Sequence, residues 1–207
     1  MIRDGFPGNY HLRFCGKIKT LTLRREVKPD ERKIMKTIQK KVCLVGDFAV
    51  GKTSLVRQYV EGRFDDRYLV TIGVKLTRKT LRRAGHVLNM ILWDIAGQQD
   101  AGVAREDYLR GLAGAFIVCD LTRRETIESL DAYIQQIQAI NTEAKIVLLA
   151  NKYDLEEERQ VSKDGLDGYG STNGFKVFET SAKDGFQVEA AFEALADQFL
   201  IEAEPEA

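Results

Sequence analysis

Gly46, Gly51, Lys52 and Thr53 stand at the spacing GxxxxGK[ST] within the stretch "GDFAVGKTS", residues 46–54. Residue types in that order suit the holding of a phosphate chain. Glycines let consecutive backbone N–H groups turn toward an anion, and the start of a helix adds its positive end. The apolar run "KVCLV" directly before the stretch and the helical pattern directly after it supply the context this spacing needs. Lys52 brings a positive charge to the β and γ phosphates, and the Thr53 hydroxyl is a ligand for Mg2+. Asp47, Phe48, Ala49 and Val50 fill the loop, and Ser54 follows it.

A phosphate loop leaves the base unread. The tetrapeptide "NKYD", Asn151–Asp154, ends the apolar run "AKIVLLA". A carboxylate at Asp154 can accept hydrogen bonds from both N1–H and the exocyclic amino group of guanine, whereas adenine offers no matching donors on that edge. At about 1.5–3 kcal/mol per charged hydrogen bond, the pair is worth roughly 3–6 kcal/mol, or about 10^2–10^4-fold in selectivity. Alone, "NKYD" reads equally as a solvated turn. Together with "ETSAK", Glu179–Lys183, behind the last strand-like run, it reads as a base site.

These loops need a scaffold, and 207 residues suffice for one well-buried core. With 44% hydrophobic and 30% charged residues the composition is that of a soluble globular chain. No apolar run approaches the ~20 residues of a membrane span. Cys15, Cys43 and Cys119 are far apart, without the spacing of a disulfide framework or zinc site, and point to a reducing, cytoplasmic compartment. The N-terminal segment is interrupted by charge every few residues, so no signal peptide is expected. The net charge of zero hides an asymmetry: residues 1–41 carry 12 Lys/Arg against 4 Asp/Glu, leaving 19 against 27 for the rest. A basic arm suits an anionic partner or is simply a solvated extension. No aromatic interleaving strengthens the first reading, and no nucleic-acid partner is expected.

From residue 40 onward, strand-like runs alternate with segments of helical period. "TIGVKLTRKTL" and "HVLNMILWDIAG", joined by "RRAG", read as a hairpin. "AGAFIVCDLT", helical "ETIESLDAYIQQIQAI", "AKIVLLANKYD", a polar helix near residues 162–172, "FKVFETSAK" and helical "QVEAAFEALADQFLIEA" follow. The alternation predicts an α/β fold with a mostly parallel sheet covered on both faces. Each motif falls at the carboxyl end of a strand, where such sheets bind ligands.

"GDFAVGKT", "TIGVK", "WDIAGQQ", "NKYD" and "ETSAK" occur in the order and at about the spacings of the Ras superfamily of small GTPases, over residues 38–203. Within it the chain most resembles the Rab branch and its bacterial Rab-like relatives. The resemblance implies a P-loop NTPase fold, with a six-stranded, mostly parallel sheet, one antiparallel edge strand and helices on both faces. It implies a switch that binds GTP or GDP with Mg2+, slowly hydrolyses GTP, and meets effectors, an exchange factor or an activator through loops around residues 64–75 and 97–110. Catalytic roles fall by resemblance on Gln98, which orients the attacking water, on Lys52 and on Thr71. Thr71 also joins Thr53 and Asp94 as the magnesium set. Phe64 matches the aromatic beside the guanine, Tyr68 one that covers the phosphates, and Gly97 the glycine whose N–H reads the γ phosphate. Asn151, Lys152 and Asp154 form the base site, supported by Ser181, Ala182 and Lys183. Residues 36–203 would be the GTPase domain, residues 204–207 an acidic tail, and the chain a monomer.

Three features depart from the family pattern. Phe48 stands where Ras has glycine, and Ala49 follows where glycine is common. Either the Phe48 ring projects toward the γ phosphate and the entry route of an activating arginine, or it packs outward. In the first case activation is altered, or the protein is a nucleotide-binding scaffold that is catalytically idle. The final stretch "FLIEAEPEA" has no cysteine, so no prenyl anchor is expected there. Residues 1–35 have no counterpart in the family, and either form a basic arm or precede a native start at Met35.

Overall fold

The computed structural model describes residues 35–65, 71–83, 85–97 and 104–201. Among them six strands form one sheet in the order β2-β3-β1-β4-β5-β6. Its members are β1 (Lys36–Val45), β2 (Val74–Arg83), β3 (His86–Ile95), β4 (Gly114–Asp120), β5 (Lys145–Asn151) and β6 (Lys176–Thr180). β2 and β3 pair antiparallel, from Val74 opposite Ile95 to Arg83 opposite His86, and every other pairing is parallel. The expected hairpin and single antiparallel edge strand are therefore present.

Alternation along the parallel strands explains why both faces are covered. β4, "GAFIVCD", is buried throughout: Phe116 and Val118 enter one apolar cluster, while Ala115, Ile117 and Cys119 enter the other. Val42 and Leu44 of β1 divide from Cys43 and Val45 in the same way. The first cluster is closed by α1 (Lys52–Glu61) and α6 (Val188–Ile201), which bring Leu55, Tyr59, Phe192 and Phe199. The second is closed by α2 (Glu106–Leu109), α4 (Leu130–Ile140) and α5 (Lys163–Asn173), through Leu109, Tyr133, Ile137 and Leu166. Phe192 lies between Tyr59, on which it stacks, and Phe116, to which it is tilted, with ring centroids at 4.1 and 4.3 Å. Burying each such large apolar side chain contributes about 1.5–3 kcal/mol. Cys43 and Cys119 are free and buried. Burial pushes both thiols up to about 12, so neither is a thiolate near neutrality.

Two elements differ from the periodicity. β1 begins at Lys36, five residues before the run "KVCLV", because its polar start pairs with β3, Lys36 opposite His86. The helical stretch after β4 is broken at Ser129 into α3 (Glu125–Glu128) and α4. The Ser129 hydroxyl lies within hydrogen-bond distance of the Glu125 carbonyl and the Asp47 carboxylate, and back-bonding of that kind bends a helix.

Candidate functional site

β1, β3, β4, β5 and β6 run parallel, so their carboxyl ends share one edge of the sheet. The loops leaving that edge surround a cleft of about 350 Å3. Gly51 caps α1 in the left-handed region, at φ 101°, and a Cβ there would lie 2.2 Å from Asn151 Nδ2. Only glycine allows this turn and this approach. The first turn of α1 carries no acidic side chain and no side-chain cap, so its positive end remains available to an anion. Lys52 is 5% exposed, and its Nζ donates to the carbonyls of Gly46 (2.6 Å) and Asp47 (2.8 Å). Burial pushes its ammonium down to about 8, against the opposing pull of Asp94 and Asp47 and with the added repulsion of Arg123.

Beside Lys52, three oxygen-bearing side chains converge. Thr53 Oγ1 donates to Asp94 Oδ2 at 2.7 Å and lies 2.6 Å from Thr71 Oγ1. Asp94 is 1% exposed, and its second oxygen, Oδ1, is buried with no hydrogen-bond partner. Burial raises the Asp94 pKa, while Thr53, Lys52 and Lys75 counteract that rise. Hard oxygen donors with one orphaned carboxylate oxygen fit a magnesium ion, which would settle the unpaired charge.

The other end of the cleft is built by β5 and β6. Asn151 is a staple: its Nδ2 donates to the Val50 carbonyl (2.9 Å) and its Oδ1 accepts from the Ala182 N–H (3.1 Å). Lys152 adopts φ 70°, lines the cleft, and places its Nζ 2.5 Å from Asp120 Oδ2. Ser181 Oγ donates to Asp154 Oδ1 at 2.7 Å and accepts the Asp184 N–H at 3.0 Å. Asp154 is thereby aimed with one oxygen free of this contact.

Phe48, Ala49, Ser54, Phe64, Gly97, Ala182 and Lys183 also line the cleft. Asp47 is not among the lining residues. Its carboxylate is turned away, accepting from Ser129 Oγ (2.9 Å) and Tyr133 OH (3.0 Å), and so ties the phosphate loop to α4. The Val50 side chain is core, 0% exposed. Tyr68 and Gln98 lie outside the described residues. Sequence reasoning missed Arg57 and Asp65, which line the cleft and form a 3.2 Å ion pair, and it missed Asp120 and Arg123. Asp120 was accessible from its place at the end of β4, at the ligand edge. Arg123 belongs to no motif.

A parallel sheet that delivers a GxxxxGKT loop into α1, with oxygen donors beside it, defines a P-loop nucleotide-binding protein. The profile of the Ras family matches residues 41–201, and the chain belongs to that family, whose members are GTPases. It is similar to Ras-related protein Rab-2B of Dictyostelium discoideum, at 37% identity over 161 residues, covering 77% of this chain and 80% of that protein. Ras-related protein Rab-13 of Bos taurus is 34% identical over 165 residues, 79% of this chain and 81% of the relative. The family generally binds guanine nucleotide with Mg2+, and its members meet regulators and effectors. Among the described residues no helix is long and apolar enough to cross a membrane.

Proposed function

We propose that this chain is a guanine nucleotide switch of residues 36–203 that binds GTP and GDP with Mg2+ and slowly hydrolyses GTP to GDP and phosphate. The observation that carries the reading is one cleft bordered at one end by Lys52 and Thr53 and at the other by Asp154 with its Ser181 support. Lys52 and the N–H groups opening α1 hold the β and γ phosphates and meet the charge that develops as water attacks in line. Thr53, Thr71 and Asp94 would hold Mg2+, which would supply neutralising charge to the phosphate chain. Gln98 keeps the water-orienting role that the family resemblance assigns. Without an arginine supplied to the transition state, a factor of about 10^3–10^5 in rate is missing, so turnover is slow.

Thr71 couples this chemistry to a surface. Its hydroxyl stands against Thr53 in the cleft, while the next residue, Ile72, is 92% exposed, and Phe64 and Leu76 are 38% and 55% exposed. Apolar side chains beside a nucleotide-sensing threonine suit an effector that reads the GTP state. The protein then acts as a cytoplasmic monomer.

A second reading, an idle nucleotide-binding scaffold, draws on Phe48, whose position on the cleft wall brings a bulky residue to the phosphate loop. Single-turnover hydrolysis of bound GTP, with and without Mg2+ and candidate activators, is to be measured on the native protein and on Phe48→Gly. The switch reading expects slow, Mg2+-dependent release of phosphate and a faster activator-stimulated rate in the variant. GTP retained intact by both proteins would establish the scaffold instead. Equal stimulated rates would clear Phe48 of any role.

A further inference from the structure

Arg123 follows β4 at the ligand edge and reaches the phosphate loop 75 residues earlier. Its Nη2 donates to the Phe48 carbonyl at 2.7 Å, and its Nε donates to Asp120 Oδ2 at 3.0 Å. Asp120 is 0% exposed and firmly held: Oδ1 accepts from the N–H (2.9 Å) and hydroxyl (2.7 Å) of Thr122, and Oδ2 also meets Lys152 Nζ at 2.5 Å. Burial works to raise the Asp120 pKa, but Lys152 and Thr122 outweigh it and hold the carboxyl below its usual range. One fixed anion therefore receives a cation from the base motif and a second cation whose other arm grips the phosphate loop.

The grip falls on a particular peptide unit. In a trans peptide the C=O and N–H point to opposite sides, and the described residues contain no cis bond. A guanidinium on the Phe48 carbonyl therefore leaves the Ala49 N–H facing away from Arg123, and Ala49 lines the cleft. Ala49 sits at φ 64°, a conformation that its Cβ disfavours and that glycine would adopt freely. A loop reading Phe-Ala at these positions needs an outside contact to keep this peptide orientation.

We propose that Arg123 is a positioning residue: anchored on Asp120, it clamps the Phe48–Ala49 peptide and so aims the Ala49 N–H at the β and γ phosphates. Asp120 is the joint through which the same clamp is tied to Lys152 at the base end. The inference rests on the guanine nucleotide reading of the cleft.

The test compares the affinities of full-length native protein, Arg123→Ala and Arg123→Lys for GMP, GDP and a non-hydrolysable GTP analogue. Thermal unfolding confirms that each variant is folded, and the lysine variant carries the test if the alanine variant is not. In both variants, affinity for GDP and the GTP analogue should fall about tenfold or more, the size of one lost charged hydrogen bond. GMP, lacking the β phosphate, should bind within about twofold of the native protein. Lysine should not restore the loss, because one ammonium lacks the fork that spans carboxylate and carbonyl. Millimolar guanidinium should partly restore GDP affinity to the alanine variant, since the Arg123 side chain is 34% exposed and its site can be reached. Equal losses for all three nucleotides, no loss, or full restoration by lysine would overturn the proposal. ADP is competed against GDP on the native protein first, and a native protein without guanine preference would overturn the underlying reading instead.

Discussion

Replacing Asp154 with asparagine exchanges one carboxylate oxygen for an amino group where the surroundings dictate the orientation of the new side chain. Ser181 is fully buried, its oxygen accepts the Asp184 N–H, and its one hydroxyl proton goes to Asp154 Oδ1 at 2.7 Å. The amide must present its carbonyl oxygen to Ser181, which turns its amino group toward the cleft. There the amino group meets the N1–H and 2-amino donors of guanine, so two charged hydrogen bonds are lost. At about 1.5–3 kcal/mol each, GDP affinity should fall by roughly 10^2–10^4-fold. Xanthine carries a carbonyl in place of the 2-amino group, so xanthosine diphosphate should gain what GDP loses in at least one contact. Competition of GDP, XDP and ADP against a fluorescent nucleotide measures this on the native protein and on Asp154→Asn. Unchanged GDP selectivity in the folded variant would refute the assignment of Asp154 as the base-reading group, and with it the direction in which the cleft is read.

Two further perturbations test the phosphate end. The Lys52 ammonium is pushed down to about 8 by burial, so between about pH 8 and its ordinary 10.5 the folded state holds fewer protons than the unfolded chain. Unfolding free energy of the nucleotide-free protein should therefore rise with pH across that window, while affinity for GDP, which needs the charged form, falls by up to about tenfold per pH unit above about 8. Calorimetric titrations and denaturant melts at matched pH check the opposite signs, and a Lys52→Met variant should flatten both profiles. In Gly97→Ala, a Cβ would lie 2.6 Å from the Asp47 carbonyl oxygen, 2.7 Å from Lys52 Nζ and 2.7 Å from Phe48 Cα. Two of these are backbone atoms of the phosphate loop and yield poorly. At about 1–3 kcal/mol for such overpacking, affinity for the GTP analogue should drop roughly 5- to 150-fold, and affinity for GDP should drop less. Equal losses for both nucleotides would show that the glycine senses no γ phosphate.

Much of the site was legible because its parts are local. The spacing of Gly46, Gly51, Lys52 and Thr53 specifies a loop whose own backbone N–H groups suit an anion, and "NKYD" and "ETSAK" are short turns at strand ends. The hairpin and buried β4 could also be read, since alternation along a strand follows directly from its pleat. The break at Ser129 and the polar start of β1 could not be read that way, because each depends on a distant partner, Asp47 in one case and β3 in the other. Nor could motif membership show that the Asp47 carboxylate is held by Ser129 and Tyr133, 82 and 86 residues away.

The sequence by itself determined two candidate pieces of chemistry, each carried by a few adjacent residues: a loop suited to phosphate and a carboxylate suited to guanine. Only the tertiary structure decided how those pieces act together. It left Asp94 Oδ1 without a partner beside Lys52, fixed Asp154 through Ser181, and put Arg123 and Lys152 on the one buried carboxylate of Asp120. Such contacts join strand ends far apart in the chain. They exist only because a parallel sheet gathers its carboxyl ends along one edge and packing then fixes which side chains meet.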